Sequence, residues 1–126
     1  MSEDRVEKIW VIINTQFEGL HYWKDAPESV YFLKHAHRHI FHVRVEMSVE
    51  GVDRDVEIIL CKRFINEQLN DMKPTIAMEG WSCEKIASTL AKVLYTSYSS
   101  NEIIVEVLED GENGGKFEIR EQQKSV

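Results

Sequence analysis

The chain has 126 residues, 43% of them hydrophobic and 29% charged, which fits one soluble globular domain over residues 1–126 and leaves no room for a second. With 22 acidic and 15 basic residues the net charge is −7, so the chain as a whole repels phosphate backbones and no nucleic-acid partner is expected, although Lys34, Arg38 and Arg44 make one stretch locally basic. No apolar run approaches the roughly 20 residues of a membrane span, the start MSEDRVEK is acidic and polar rather than a leader, and Cys61 and Cys83 stand in no C-x-x-C pairing, so a cytoplasmic protein with reduced thiols and no membrane partner is expected.

In chain order, Lys8–Glu18 (KIWVIINTQFE) is β-branched and aromatic without helical spacing, which predicts a strand. Residues 19–33 (GLHYWKDAPESVYFL) mix Gly19, Asp25 and Pro27 with aromatics and read as an irregular excursion. From His37 to Val49, Val43, Val45, Met47 and Val49 alternate with Arg44, Glu46 and Ser48, the period of a half-buried strand. Two helices are predicted next. The first covers roughly 55–71 with Val56, Ile59, Leu60 and Phe64 on its apolar side, although EIIL at its start fits a strand equally well. The second covers 82–98 with Ile86, Leu90, Val93 and Leu94 inward, Ser82 as N-cap and Glu84 in the first turn. Ile103–Leu108 and Lys116–Arg120 close the chain as a hairpin, with Asn113-Gly114 supplying the positive φ angles, and the tail EQQKSV is expected to fray. The order is β-β-α-α-β-β, without repeat or linker.

The stretch KHAHRHIFHV, Lys34–Val43, carries His35, His37, His39 and His42. Strand alternation puts His37 and His39 on one face, with His35 beside them if the strand begins that early, and His42 on the other. Rings two residues apart on a strand stand about 7 Å apart, so they grip one ion only with a third ligand from elsewhere. His21, at the end of the preceding strand, is the available third. A His21, His37 and His39 triad would leave a fourth position open, the arrangement of a catalytic rather than a structural zinc. The other reading of the same spacing is a set of polar histidines on a wet strand face with no metal.

Phe17-Glu-Gly-Leu-His21 resembles the F-x-x-x-H element, and His37-Arg-His39-Ile-Phe-His-Val43 the H-G-H-x-[FY]-x-V element, of the 6-pyruvoyltetrahydropterin synthase and 6-carboxytetrahydropterin synthase family. Glu57-Ile-Ile-Leu-Cys-Lys62 resembles its D-F-x-x-L-K, Ser82-Cys-Glu84-Lys-Ile-Ala87 its P-T-x-E-x-[IL]-A helix start, and Val105-Glu-Val-Leu-Glu109 its V-x-V-x-E strand. The set spans most of the chain in the family's order. The resemblance implies an α+β tunnelling fold, an antiparallel sheet with two helices on one face. It also implies Zn2+ on His21, His37 and His39, and Glu109 as the anchor of a pterin or purine nucleotide. A carboxylate suits that task because it is acceptor-only and takes two parallel N–H bonds from an amino-pyrimidinone edge. A homo-oligomer, trimer or hexamer, with its sites between subunits, is implied as well.

The departures concern proton transfer. The family's general-base cysteine, four residues before the first histidine of H-x-H, is Leu33 here, and its L-D-H motif has no counterpart, since 64–80 contains Leu69-Asn70-Asp71 but no histidine. The glycine inside H-G-H is Arg38. Three functions follow as expectations. One is a zinc enzyme with altered lyase or hydrolase chemistry and His35 as substitute base. Another is a non-catalytic protein that sequesters a pterin or nucleotide, with Tyr22, Trp23 and Tyr31 either as stacking walls or as core and interface aromatics. The third is an oligomeric scaffold. Cys61 reads as a buried thiol, and only Cys83, at a helix start, has a reason for a lowered pKa.

Overall fold

The structure is a computed structural model that describes residues 5–122. The expectations for the first residues and for the tail fall partly on 1–4 and 123–126, outside the described range. The elements run β1 (Ile9–His21), a 3-10 segment (Glu28–Lys34), β2 (His37–Val49), α1 (Ile58–Glu79), α2 (Cys83–Ser97), β3 (Ile103–Glu109) and β4 (Asn113–Ile119). The strands form one antiparallel sheet in the order β1-β2-β3-β4. This is the expected α+β order, β-β-α-α-β-β, with both long helices on one face of the sheet. Among the described residues no helix is long and apolar enough to cross a membrane.

The register decides what the helices cover. Ile13 pairs with Val45, Phe17 with Phe41, His21 with His37, Phe41 with Glu109 and Val45 with Val105. With a side-chain period of two, the odd-numbered positions of the first three strands share the inner face. Ile13, Phe41, Val43, Val45, Met47, Ile103, Val105 and Val107 accordingly pack against Cys61, Ile65, Leu69, Met72 and Ile76 of α1 and against Ile86, Ala87, Leu90, Ala91 and Leu94 of α2. His21, His37, His39 and Glu109 are odd-numbered too. They extend the same inner face beyond Phe41, where the apolar core ends.

α2 conforms to its pattern: Ser82 Oγ accepts from the Lys85 N–H at 3.1 Å, and Ile86, Leu90 and Leu94 are buried. α1 corrects its own. The helix runs to Glu79 instead of stopping at Asp71, and its buried stripe is Cys61, Ile65, Leu69, Met72 and Ile76, while Ile59 and Leu60 are 59% and 61% exposed. Its N-cap is Glu57, whose carboxylate accepts from the Leu60 N–H at 2.7 Å, so Val56 to Leu60 straddle the helix start and do not share one face. Pro74 lies inside α1 and denies the Asn70 carbonyl its helical donor, while Met72 and Ile76 on either side are buried in the core and keep the helix docked through it.

The hairpin is corrected as well. Positive φ occurs at Asp110 (54°) and Gly111 (75°), not at Asn113-Gly114, which open β4. The Glu112 N–H donates to the Glu109 carbonyl at 2.9 Å across this Asp-Gly turn. Gly115 serves packing instead, because a Cβ there would stand 2.9 Å from the Glu84 backbone nitrogen at the start of α2.

At the other end of the sheet Glu102 is buried, with its carboxylate paired to Lys8 and its N–H donating to Ser48 Oγ at 2.7 Å. The Lys8 ammonium holds the Glu102 carboxyl below the usual range. A folded value below the unfolded one stabilises the fold above the unfolded pKa of about 4.3, and that contribution is lost as pH falls through the folded value. Glu102→Gln is therefore expected to flatten the acid limb of stability in urea melts taken from pH 3 to 7. An unaltered limb would assign the loss to other carboxylates.

Candidate metal centre and adjoining cavity

Three imidazoles converge where β1 and β2 meet. The ring centroids of His21 and His37 are 4.6 Å apart, those of His37 and His39 4.9 Å, and those of His21 and His39 5.2 Å. The strands bring them there: His21 and His37 are register partners, and His39 lies two residues along the same face. One ligand atom from each of His21, His37, His39 and Glu109 can be chosen so that all lie within 4.8 Å of one another, the only such group of His, Cys, Asp or Glu among the described residues.

The outward-facing nitrogens are all engaged. Nδ1 of His21 lies 2.8 Å from the Trp81 carbonyl oxygen, Nδ1 of His37 2.9 Å from the His35 carbonyl oxygen, and Nδ1 of His39 2.7 Å from Asp110 Oδ2. At His21 and His37 such an acceptor places the proton on Nδ1 and leaves the Nε2 lone pair for a metal; at His39, where Glu109 Oε2 also faces Nε2, the same tautomer holds once a cation takes that nitrogen. His21 makes the point most sharply. Its Nε2 is the only buried side-chain nitrogen or oxygen without a hydrogen-bond partner among the described residues. Such an atom costs about 1–3 kcal/mol unless something coordinates it. Burial also pushes the His21 pKa down, against the opposing influence of the Trp81 carbonyl and Glu109, which favours the neutral ring that binds metal. A buried orphan nitrogen, preset tautomers and an all-imidazole set together fit a divalent transition metal.

Glu109 closes the group from β3. Its Oε2 is 2.9 Å from His39 Nε2 and 3.8 Å from His21 Nε2. It therefore stands within reach both of a metal held by the rings and of the adjoining cavity of about 540 Å³, which it lines together with His21, His37, Trp23, Leu33 and Cys83. The cavity wall also includes Ser82, Glu84, Asn113 and Gly114, because the start of α2 lies against the start of β4.

The other expected site residues divide. Trp23 lines the cavity with half of its surface exposed, and the Trp23 N–H donates to the Leu33 carbonyl at 2.7 Å, tying the excursion back on itself. Tyr22 also lines it, anchored by its hydroxyl donating to the Met78 carbonyl at 2.8 Å. Tyr31 is 61% exposed, stands edge-on to Phe32 and is not among the lining residues. His35 precedes β2, and its exposed imidazole is also absent from the lining; its carbonyl, rather than its ring, serves the centre by holding His37. Leu33 also lines the cavity. The expectation for Cys83 reverses: the thiol is buried at the helix start and pushed up to about 12 by burial, Glu109 and Glu84, so it stays protonated at neutral pH.

Sequence reasoning missed Asp110 and the carbonyls of Trp81 and His35. The carbonyls leave no mark in side-chain identity, and Asp110 reads as a turn residue until the fold brings it to His39, 71 positions away. Compared with protein-family models the chain matches none, and a search of curated proteins returns no match.

Proposed function

We propose that the chain is a divergent pterin-synthase-like protein that holds zinc on His21, His37 and His39 and binds a pterin or purine nucleotide in the adjoining cavity, with Glu109 as anchor. The observation that carries the metal half is the convergence of three imidazoles with every Nδ1 engaged and the His21 Nε2 buried without a partner. Zinc on these rings supplies Lewis-acid chemistry to whatever the cavity holds. The chain's own contribution is binding and orientation. The Glu109 carboxylate accepts paired N–H bonds from a flat heterocycle, and the half-exposed Trp23 indole offers it a stacking face.

A second reading, a non-catalytic oligomer that sequesters the ligand, is favoured by one specific observation. Leu33 lines the cavity where the family carries its proton-transferring cysteine. With Cys83 held as a thiol, Glu84 and Glu109 are the acid–base carboxylates left in the wall. Lyase-like or hydrolase turnover would have to run through them, since the exposed His35 ring does not line the cavity. The oligomer in either reading is a trimer or hexamer, supported by the unpaired outer edges of β1 and β4, and its compartment is the cytoplasm, consistent with two free buried cysteines.

Native mass spectrometry of protein purified without chelator tests the reading, with one zinc per chain expected and the subunit count read in the same spectrum. Calorimetry with pterin and guanosine monophosphate tests the anchor. Glu109→Gln presents an amide N–H where an acceptor is needed, so the loss is expected to be about 1.5–3 kcal/mol, roughly 10- to 150-fold in affinity. Equal affinity in the variant would remove Glu109 from the anchoring role.

A further inference from the structure

We propose that Asp110 is a positioning residue of the metal centre, orienting His39 and fixing its metal-binding nitrogen through the β3–β4 turn; this rests on the metal reading above. Of the three acceptors behind the rings, two are backbone carbonyls, those of Trp81 and His35, and only the third is a side chain. A carboxylate behind a ligating imidazole fixes its tautomer and raises the basicity of the other nitrogen, so His39 is the ring made the strongest donor.

Asp110 is itself held on three sides. Its Oδ2 faces His39 Nδ1 at 2.7 Å, its Oδ1 accepts from the Ile40 N–H at 3.0 Å, and its own N–H donates to the Ile40 carbonyl at 2.7 Å. Its backbone sits at φ 54°, in the left-handed region. A turn alone would be served at least as well there by glycine or asparagine, and the paired acceptor oxygens are what neither supplies. The neighbouring Glu109 reaches the opposite nitrogen of the same ring, with Oε2 2.9 Å from Nε2. Consecutive residues of one hairpin thus meet both nitrogens of His39, and the turn sets the placement of both.

Two variants separate positioning from turn formation. Asp110→Gly removes the carboxylate at a φ that glycine adopts freely. Asp110→Asn keeps the shape but offers one oxygen to two donors, so its amide NH2 must face either His39 or Ile40. Zinc affinity is read by competition with a chromophoric chelator after EDTA stripping, and the His39 tautomer by long-range proton–nitrogen correlation in the stripped protein. The expected result is a loss of about 10- to 100-fold in zinc affinity in both variants, with the His39 proton shifted from Nδ1 towards Nε2, where Glu109 Oε2 stands 2.9 Å away, and the glycine variant melting close to wild type. Wild-type affinity and tautomer in both variants would make Asp110 a turn residue only, with the zinc centre itself intact. A wild-type chain that takes up no zinc would remove the metal reading, and this inference with it.

Discussion

His37→Ala is expected to weaken zinc binding roughly 70- to 900-fold. His37 is one of three nitrogen donors, its ring 4.6 Å from His21 and 4.9 Å from His39, and alanine leaves two rings and a carboxylate that also contacts His39. Apparent zinc binding energies of about 10–16 kcal/mol in four-ligand structural sites amount to about 2.5–4 kcal/mol per ligand, and the loss of one ring here is expected to cost about as much. The paired readout is thermal. At a thousand times its dissociation constant zinc stabilises the wild type by about 4 kcal/mol, and at the same zinc concentration that shift should fall to about 0.4–1.6 kcal/mol in the variant. His35→Ala is the control, since it retains the carbonyl that holds His37 and should bind zinc like the wild type. Unchanged zinc affinity in His37→Ala would place the metal elsewhere.

Phe41→Ala is expected to produce the largest loss of stability, about 3–5 kcal/mol in urea melts of EDTA-treated protein, a large share of the 5–15 kcal/mol typical of a domain. Phe41 is fully buried, stacks on Phe17 at 5.0 Å and stands edge-on to His21 at 5.2 Å and His39 at 5.8 Å. The ring is thus the last layer of the apolar core and the floor under the histidine cluster. Truncation opens a cavity beneath two ligands, so zinc affinity should fall with stability. Phe41→Leu refills most of the space and should cost less. A loss below about 1 kcal/mol would show that the surrounding side chains collapse into the gap and that the floor is not needed.

The two effects share one physical origin in β2. Its alternation from Val43 to Val49 is legible because each inward residue is apolar and each outward one polar. Continued backwards, the same period places Phe41, His39 and His37 on the inner face, as the structure shows. The period of α2 is equally plain. The phase of α1 is not, because Val56 on one side and Ile58, Ile59 and Leu60 on the other flank its N-cap, Glu57, and burial is decided by which residues meet β1 rather than by which are hydrophobic. Both Asp110-Gly111 and Asn113-Gly114 have turn chemistry. Strand pairing selects the first, since Glu109 must lie opposite Asn113, Gly114 is needed where β4 crosses the Val107 carbonyl of β3, and Gly115 where α2 packs closely.

The sequence by itself determined the element order, the inner face of β2 with His37 and His39 on it, and His21 of β1 as their available partner, because these depend on local period and residue type alone. The tertiary structure decided what those histidines can do. It buried the His21 Nε2, set a carbonyl or carboxylate behind each ring, brought Glu109 and Asp110 to the two nitrogens of His39, and turned Cys83 from a candidate thiolate into a buried thiol. Each of these is a contact between residues far apart in the chain, or between a side chain and a backbone carbonyl. Desolvation and ligand geometry act through such contacts, and a one-dimensional pattern does not contain them.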